Sequence, residues 1–192
     1  MEETSEQVPP SRPLVEPLPF LIIAGLGFTA IAAMVISLFR ALPIPAVISQ
    51  DFTKVAGAVL KVDVAQADPG LLTAVLADRE PAIAGARVPD LRAQGFTLVG
   101  GGTREVGDNP GVLAIYRNGA QELLLWRAYA GQLRDLPPSN DVRDHGGRRY
   151  VVHRKASHIL VFWQQGPHVQ VIAASLPAEQ VVSLAFATED AP

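Results

Sequence analysis

The 192 residues carry 16 Lys or Arg against 19 Asp or Glu, a formal charge of −3, and contain no cysteine. This balance lacks the strongly basic domain typical of nucleic-acid-binding proteins, so no nucleic-acid partner is predicted. The absence of cysteine excludes disulfide frameworks, thiol nucleophiles and Cys-ligated zinc, iron–sulfur or c-type haem sites.

An apolar segment, residues 20–39, follows a polar tail, residues 1–17. The segment contains no charge, and 16 of its 20 residues are hydrophobic. Twenty helical residues span about 30 Å, the thickness of a bilayer core, so we predict a single transmembrane helix over residues 18–40. A cleavable signal peptide is the alternative, but the tail carries four Glu and one Arg rather than a basic n-region. The four prolines of the tail predict an extended conformation.

Small residues recur at every fourth position within the apolar segment. They are Gly25, Thr29, Ala33 and Ser37. This spacing places them on one side of a helix, where another transmembrane helix can approach closely. We therefore predict a helix-docking stripe, with the alternative that small residues are simply common in membrane helices.

Residues 41–88 are predicted to form a proline spacer and a helical segment. Two prolines restrict the backbone of residues 41–47, which are interpreted as a stiff spacer. A first helix is predicted over residues 49–62. A second helix is predicted from Asp68, an N-cap followed by proline at the first helical position, to about Asp78.

The pattern becomes strand-like after a short predicted helix at residues 89–94. Segments rich in β-branched and aromatic residues indicate strands. The predicted strands are residues 96–101, 112–117, 122–129, 149–155, 158–164 and 168–174, and the predicted last helix is residues 177–187. Asn118-Gly119 marks a hairpin, and Gly100-Gly101-Gly102 is interpreted as another hairpin connection. Residues 130–148 are predicted to form a long polar loop.

This order of elements predicts an α+β domain over residues 89–192, with a largely antiparallel sheet of about five or six strands covered by helices. Its sequence runs through LRAQGF, TLVGGGT, VLAIYRNG and ELLLWRAY to VVHRKASHILVFWQQGPHVQVIAAS and LPAEQVVSLA. The succession resembles the extracytoplasmic domain of bacterial transmembrane anti-sigma factors. The matching positions are core and turn residues, so the resemblance implies a fold and no particular chemistry.

The N-terminal region departs from that family. Those anti-sigma factors bind their sigma factor through a cytoplasmic helical domain, often with a His/Cys zinc site, whereas this chain has a polar tail of only 17 residues and no cysteine there. The resemblance implies a protein of the bacterial inner membrane with a cytoplasmic N-terminus and a periplasmic C-terminal domain. The few flanking charges, Arg12 before the helix and Arg40 and Lys54 after it, favour the opposite orientation slightly. We follow the resemblance.

Candidate catalytic and metal-binding residues are few. The histidines are His145, His153, His158 and His168. The predicted hairpin places His158 at its open end and His168 beside its turn, too far apart for one metal site. Asp141 and Asp144 lie in the predicted polar loop, where nothing predicts the desolvation that tunes an acid–base pair. We therefore predict no catalytic, metal-binding or cofactor-binding residues and no enzyme activity.

Basic residues cluster between positions 142 and 158. They are Arg143, Arg148, Arg149, Arg154 and Lys155, against Asp144 as the one acidic residue. Such a cluster can contact lipid headgroups or an acidic protein surface. The alternative is an ordinary solvated loop and strand face.

These observations predict a non-catalytic, single-pass membrane protein. Its expected role is that of an accessory, stabilising or assembly subunit of a larger bacterial membrane protein complex, for which respiratory and photosynthetic complexes are examples. Its expected partners are an integral membrane complex and the lipid bilayer. A truncated anti-sigma-factor-like transmembrane regulator is the alternative, and a metal-dependent enzyme is the third hypothesis.

Overall fold

The computed structural model of the chain describes residues 44–58, 60–83, 85–106, 109–129 and 136–188. The predicted tail, transmembrane helix and helix-docking stripe lie outside these residues. Within the described ranges, no helix has the length and apolar character needed to span a membrane.

Seven strands form a single antiparallel sheet. They are β1 (Thr97–Val106), β2 (Asn109–Asn118), β3 (Gln121–Tyr129), β4 (Asp141–His145), β5 (Arg148–Arg154), β6 (Ile159–Gln165) and β7 (His168–Ala174). Their spatial order is β1-β2-β3-β7-β6-β5-β4, so two meanders join side by side at the β3–β7 pair. The predicted α+β class and antiparallel pairing are confirmed, whereas the prediction of five or six strands is wrong.

Three α-helices cover the two faces of this sheet. They are α1 (Ile44–Ala56), α2 (Pro69–Arg79) and α3 (Ala178–Ala187), and short 3₁₀ turns occupy Pro81–Ile83 and Arg92–Gln94. One face packs against α1 and is called the α1 face below. The other packs against α2 and α3 and is called the α2/α3 face. Strand residues alternate between the two cores, because successive side chains of a strand point to opposite faces.

The helix starts follow their local chemistry. Asp68 caps α2 as predicted, since its Oδ1 accepts the Leu71 N–H at 2.8 Å. Helix α1 instead begins at Ile44, so the predicted spacer is wrong over residues 44–47, and so is the prediction of a helix beginning at residue 49. Residues 41–43 of that spacer lie outside the described residues. Proline is tolerated in the first helical turn, where its missing N–H has no intrahelical partner to lose.

Strand β4 occupies part of the predicted polar loop of residues 130–148. It pairs with β5 through a turn at Gly146-Gly147, where both glycines have positive φ (58° and 76°). Three of its five residues are charged, Asp141, Arg143 and Asp144, and charged side chains on an edge strand discourage the addition of a further strand. The missing apolar periodicity explains why this strand is hard to predict.

The three glycines 100–102 lie inside β1 and not in a hairpin connection. The pairing with β2 shifts register between Leu98 and Gly100, a β-bulge. Val64 pairs with Gly101 through two backbone hydrogen bonds of 2.9 and 3.0 Å. Because glycine has no side chain, the glycine segment of β1 lets another backbone approach this closely. The β2–β3 hairpin is confirmed, with Gly119 (φ 57°) as the first of its two loop residues.

Candidate interaction surface

The β4–β5 hairpin divides the predicted basic cluster between the two sides of the sheet. Arg143 lies opposite Tyr150, whose side chain belongs to the core of the α2/α3 face. Arg149 lies two residues before Val151 on the same strand, so the two side chains share a face, and Val151 belongs to the core of the α1 face. The five basic residues therefore do not form one continuous patch.

On the α2/α3 face, Arg143 and Arg154 form ion pairs with neighbouring carboxylates. Asp141 pairs with Arg143 at 3.0 Å and with Arg154 at 3.0 Å, and Arg143 also reaches Glu179 of α3 at 2.9 Å. Hydrogen bonding to Arg143 holds the pKa of Asp141 below its usual value, with Arg154 adding to the effect. The pKa of Glu179 is lowered first by its own backbone N–H and then by Arg143. These contacts tie the hairpin to α3.

Arg149 and Lys155 are different, because both are exposed and neither forms an ion pair with any described residue. Arg149 lines a cleft of about 510 Å³ together with Pro138, Val142 and Gln164. Val142 is 38% exposed, which is unusual among the large hydrophobic side chains that the structure describes. The cleft thus combines a free cation with exposed apolar surface.

Asp141 and Asp144 lie on β4 and not in a loop. They are three positions apart on the strand, an odd number, so their side chains point to opposite faces of the sheet. Asp144 stands opposite Arg149 in the strand register, whereas Asp141 engages Arg143 and Arg154. The two carboxylates therefore do not form a catalytic pair.

Helix α1 is held to its face by two polar contacts that sequence reasoning missed. Asp51, 0% exposed, accepts hydrogen bonds from the Arg104 guanidinium at 2.7 and 3.0 Å. The Ser49 hydroxyl lies 2.9 Å from Nε2 of His158, whose ring packs against Phe52. The signal for the first contact was present in the sequence: a lone Asp among the apolar residues that bury one side of α1.

The histidines do not assemble into a metal site. His158 and His168 flank β6 and β7 at opposite ends of their hairpin, as predicted. His145 packs edge-on against Phe186 at 4.7 Å, and His153 against Phe162 at 5.3 Å. No group of three metal-ligating side chains occurs among the described residues.

Acidification below about pH 6.5 is expected to destabilise the domain. Burial lowers the pKa of His153, His158 and His168, with Lys155 or Arg127 as a further cause. A lowered pKa means that the folded state binds fewer protons than the unfolded chain, so stability falls as the pH drops from 6.5 through the folded-state values. Urea unfolding at pH 7.5, 6.5 and 5.5 measures the slope. His158→Gln should flatten it, and an unchanged slope in that variant would contradict the assignment to His158.

A second cleft, of about 730 Å³, lies between the N-terminus of α2 and residues 87–94. Its charged side chains are Asp68, Asp90, Arg87 and Arg92. Asp68 already caps α2, and Asp90 pairs with Arg92. The opposing charges leave the cleft without a net preference for an anion or a cation.

Comparisons with known proteins found no matching family model, curated protein or solved structure. The resemblance to anti-sigma-factor domains therefore stays a prediction based on the motifs quoted above.

Proposed function

We propose that this protein is a non-catalytic, membrane-anchored accessory or assembly subunit of a larger bacterial membrane complex. The apolar segment of residues 20–39 supports the anchor. Arg149 is the observation that carries the proposal for the domain: it is exposed, has no ion pair among the described residues, and lines the cleft with Val142.

The partner surface is proposed to be acidic, with an apolar group that covers Val142. Arg149 and Lys155 are two cations of the predicted cluster that form no ion pair with the described carboxylates. Interfaces commonly combine a buried apolar contact with charges at the rim, and complementary charges guide association and exclude wrong partners. Arg143 and Arg154 are assigned to the hairpin's own stability, because Asp141 already binds both.

Reversing the two free charges should weaken the complex. The double variant Arg149→Glu with Lys155→Glu places like charges against the acidic partner, so partner retention after mild-detergent purification should fall at least about tenfold. The matched control is Lys61→Glu with Arg79→Glu, which changes the net charge equally at exposed positions outside the hairpin. Stoichiometry measured by quantitative mass spectrometry reports the result.

Four outcomes would contradict the proposal. Equal loss in both double variants would show a general charge effect, and equal retention would place the contact elsewhere. Recovery of the wild-type chain as a free monomer would remove the subunit role. Recovery with a sigma factor would instead favour the anti-sigma-like regulator.

A further inference from the structure

Three polar side chains form a row across neighbouring strands on the α2/α3 face. Arg127 of β3 stands opposite Gln170 of β7, and Gln170 stands opposite Trp163 of β6. Gln170 and Trp163 are both 0% exposed. We call these three residues the Arg–Gln–Trp row. It lies in the sheet, apart from the β4–β5 hairpin.

Each member of the row has a buried polar atom without a hydrogen-bond partner in the described part of the chain: Nε of Arg127, Oε1 of Gln170 and Nε1 of Trp163. Buried polar atoms in native proteins are nearly always hydrogen-bonded, because an unbonded one costs its full desolvation energy. Three such atoms on three adjacent side chains indicate a shared partner from outside the chain.

The charge of the row is positive. The Arg127 guanidinium donates to the Arg87 carbonyl at 3.1 Å and to Oε1 of Gln165 at 3.0 Å, both neutral acceptors. It pairs with no carboxylate among the described residues. Burial lowers the pKa of Arg127, and the charge of nearby Arg87 lowers it further. A partly desolvated cation of this kind favours an anionic ligand.

We propose that the row binds one small planar oxyanion that retains a hydroxyl group, with bicarbonate as the simplest example. Its two charged oxygens accept hydrogen bonds from Arg127 Nε and Trp163 Nε1. Its hydroxyl donates to Oε1 of Gln170. This ligand matches two free donors, one free acceptor and one positive charge, whereas an oxyanion without a hydroxyl leaves the Gln170 oxygen facing negative charge.

The two tryptophans of the chain, Trp126 and Trp163, provide an internal control. The Trp126 indole N–H donates to the Arg104 carbonyl at 3.1 Å, so it already has its partner. In ¹H–¹⁵N spectra of the full chain in detergent at pH 8, adding sodium bicarbonate should move the Trp163 indole signal saturably and leave that of Trp126 in place. Trp163→Phe assigns the two signals. Absence of a selective, saturable shift would overturn the proposal.

Nitrate tests the hydroxyl, since it has the same charge and planarity but no donor. At equal ionic strength it should bind about five- to tenfold more weakly than bicarbonate, the usual value of one buried hydrogen bond. Gln170→Leu should remove this preference, and Arg127→Met should remove binding of both anions. Arg117→Met is the matched control, because Arg117 pairs with Glu122 and should leave binding unchanged. Equal affinity for the two anions in the wild-type chain would overturn the proposal as stated.

Discussion

Replacing Asp51 by alanine should lower the free energy of unfolding by about 2–3 kcal/mol, because it removes the carboxylate that pairs with Arg104 inside the α1 face. The Asp51 side chain is only 1% exposed, whereas that of Arg104 is 40% exposed. Water therefore reaches the arginine that remains, which keeps the loss below that of a fully buried pair. Urea unfolding of the full chain in mild detergent, followed by tryptophan fluorescence, measures the change.

The matched control for this variant is Asp90→Ala. Asp90 forms an equally direct pair with Arg92, but both side chains are exposed, at 40% and 71%. Exposed ion pairs contribute about 0–1 kcal/mol, so the control should change stability little. The double variant Asp51→Ala with Arg104→Met should recover part of the loss, because neither charge remains without its partner. Equal losses of stability in Asp51→Ala and Asp90→Ala would contradict the inference that the Asp51–Arg104 pair holds α1 to the sheet.

Gly101→Ala should destabilise the domain at least as much as Asp51→Ala does, lowering the free energy of unfolding by about 3 kcal/mol or more. A Cβ at this position would overlap the carbonyl oxygen of Leu113 in the neighbouring strand and would also press on the Leu72 side chain of α2. Backbone atoms of the β1–β2 pair cannot move aside without breaking ladder hydrogen bonds. Thermal and urea unfolding both report the loss.

Gly119→Ala separates this steric effect from the general cost of replacing glycine. Gly119 has a positive φ of 57°, but a Cβ there meets nothing within 4 Å. Its expected cost is about 1–2 kcal/mol, from the left-handed backbone conformation alone. If the two alanine variants lost stability equally, the close packing of β1 against β2 would not be the reason that Gly101 is a glycine.

The most predictable elements were those with strong local signals. The Asp68 cap, the strand His168–Ala174 and the last helix were all placed correctly to within a residue, since capping chemistry and hydrophobic periodicity act within a few residues. Strand β4 was not predicted because its five residues, DVRDH, show no alternation of apolar and polar side chains. The glycines of β1 were misread because the backbone atoms that crowd them, the carbonyl of Val64 beside Gly100 and that of Leu113 beside Gly101, lie outside the local sequence.

The candidate sites also divide into features that the local sequence shows and features that only tertiary contacts create. The basic cluster was visible in the sequence as a run of Arg and Lys residues. Strand alternation, however, places Arg149 and Arg143 on opposite faces of the sheet. Only the fold places Asp141 and Glu179 beside Arg143. The Arg–Gln–Trp row had no sequence signal. Its members are dispersed along the chain and become neighbours through the pairing of β3 with β7 and of β7 with β6.

The sequence alone determined the class of this protein: a chain with one long apolar segment, no cysteine, near-neutral charge and an α+β domain. These features depend on composition and short-range pattern, which can be recognised without knowing the tertiary contacts of any residue. The tertiary structure decided which charges are paired, which glycines are sterically required and where buried polar atoms meet. Each of these depends on contacts between residues distant in sequence, and the strand order that creates those contacts is not encoded in any local window.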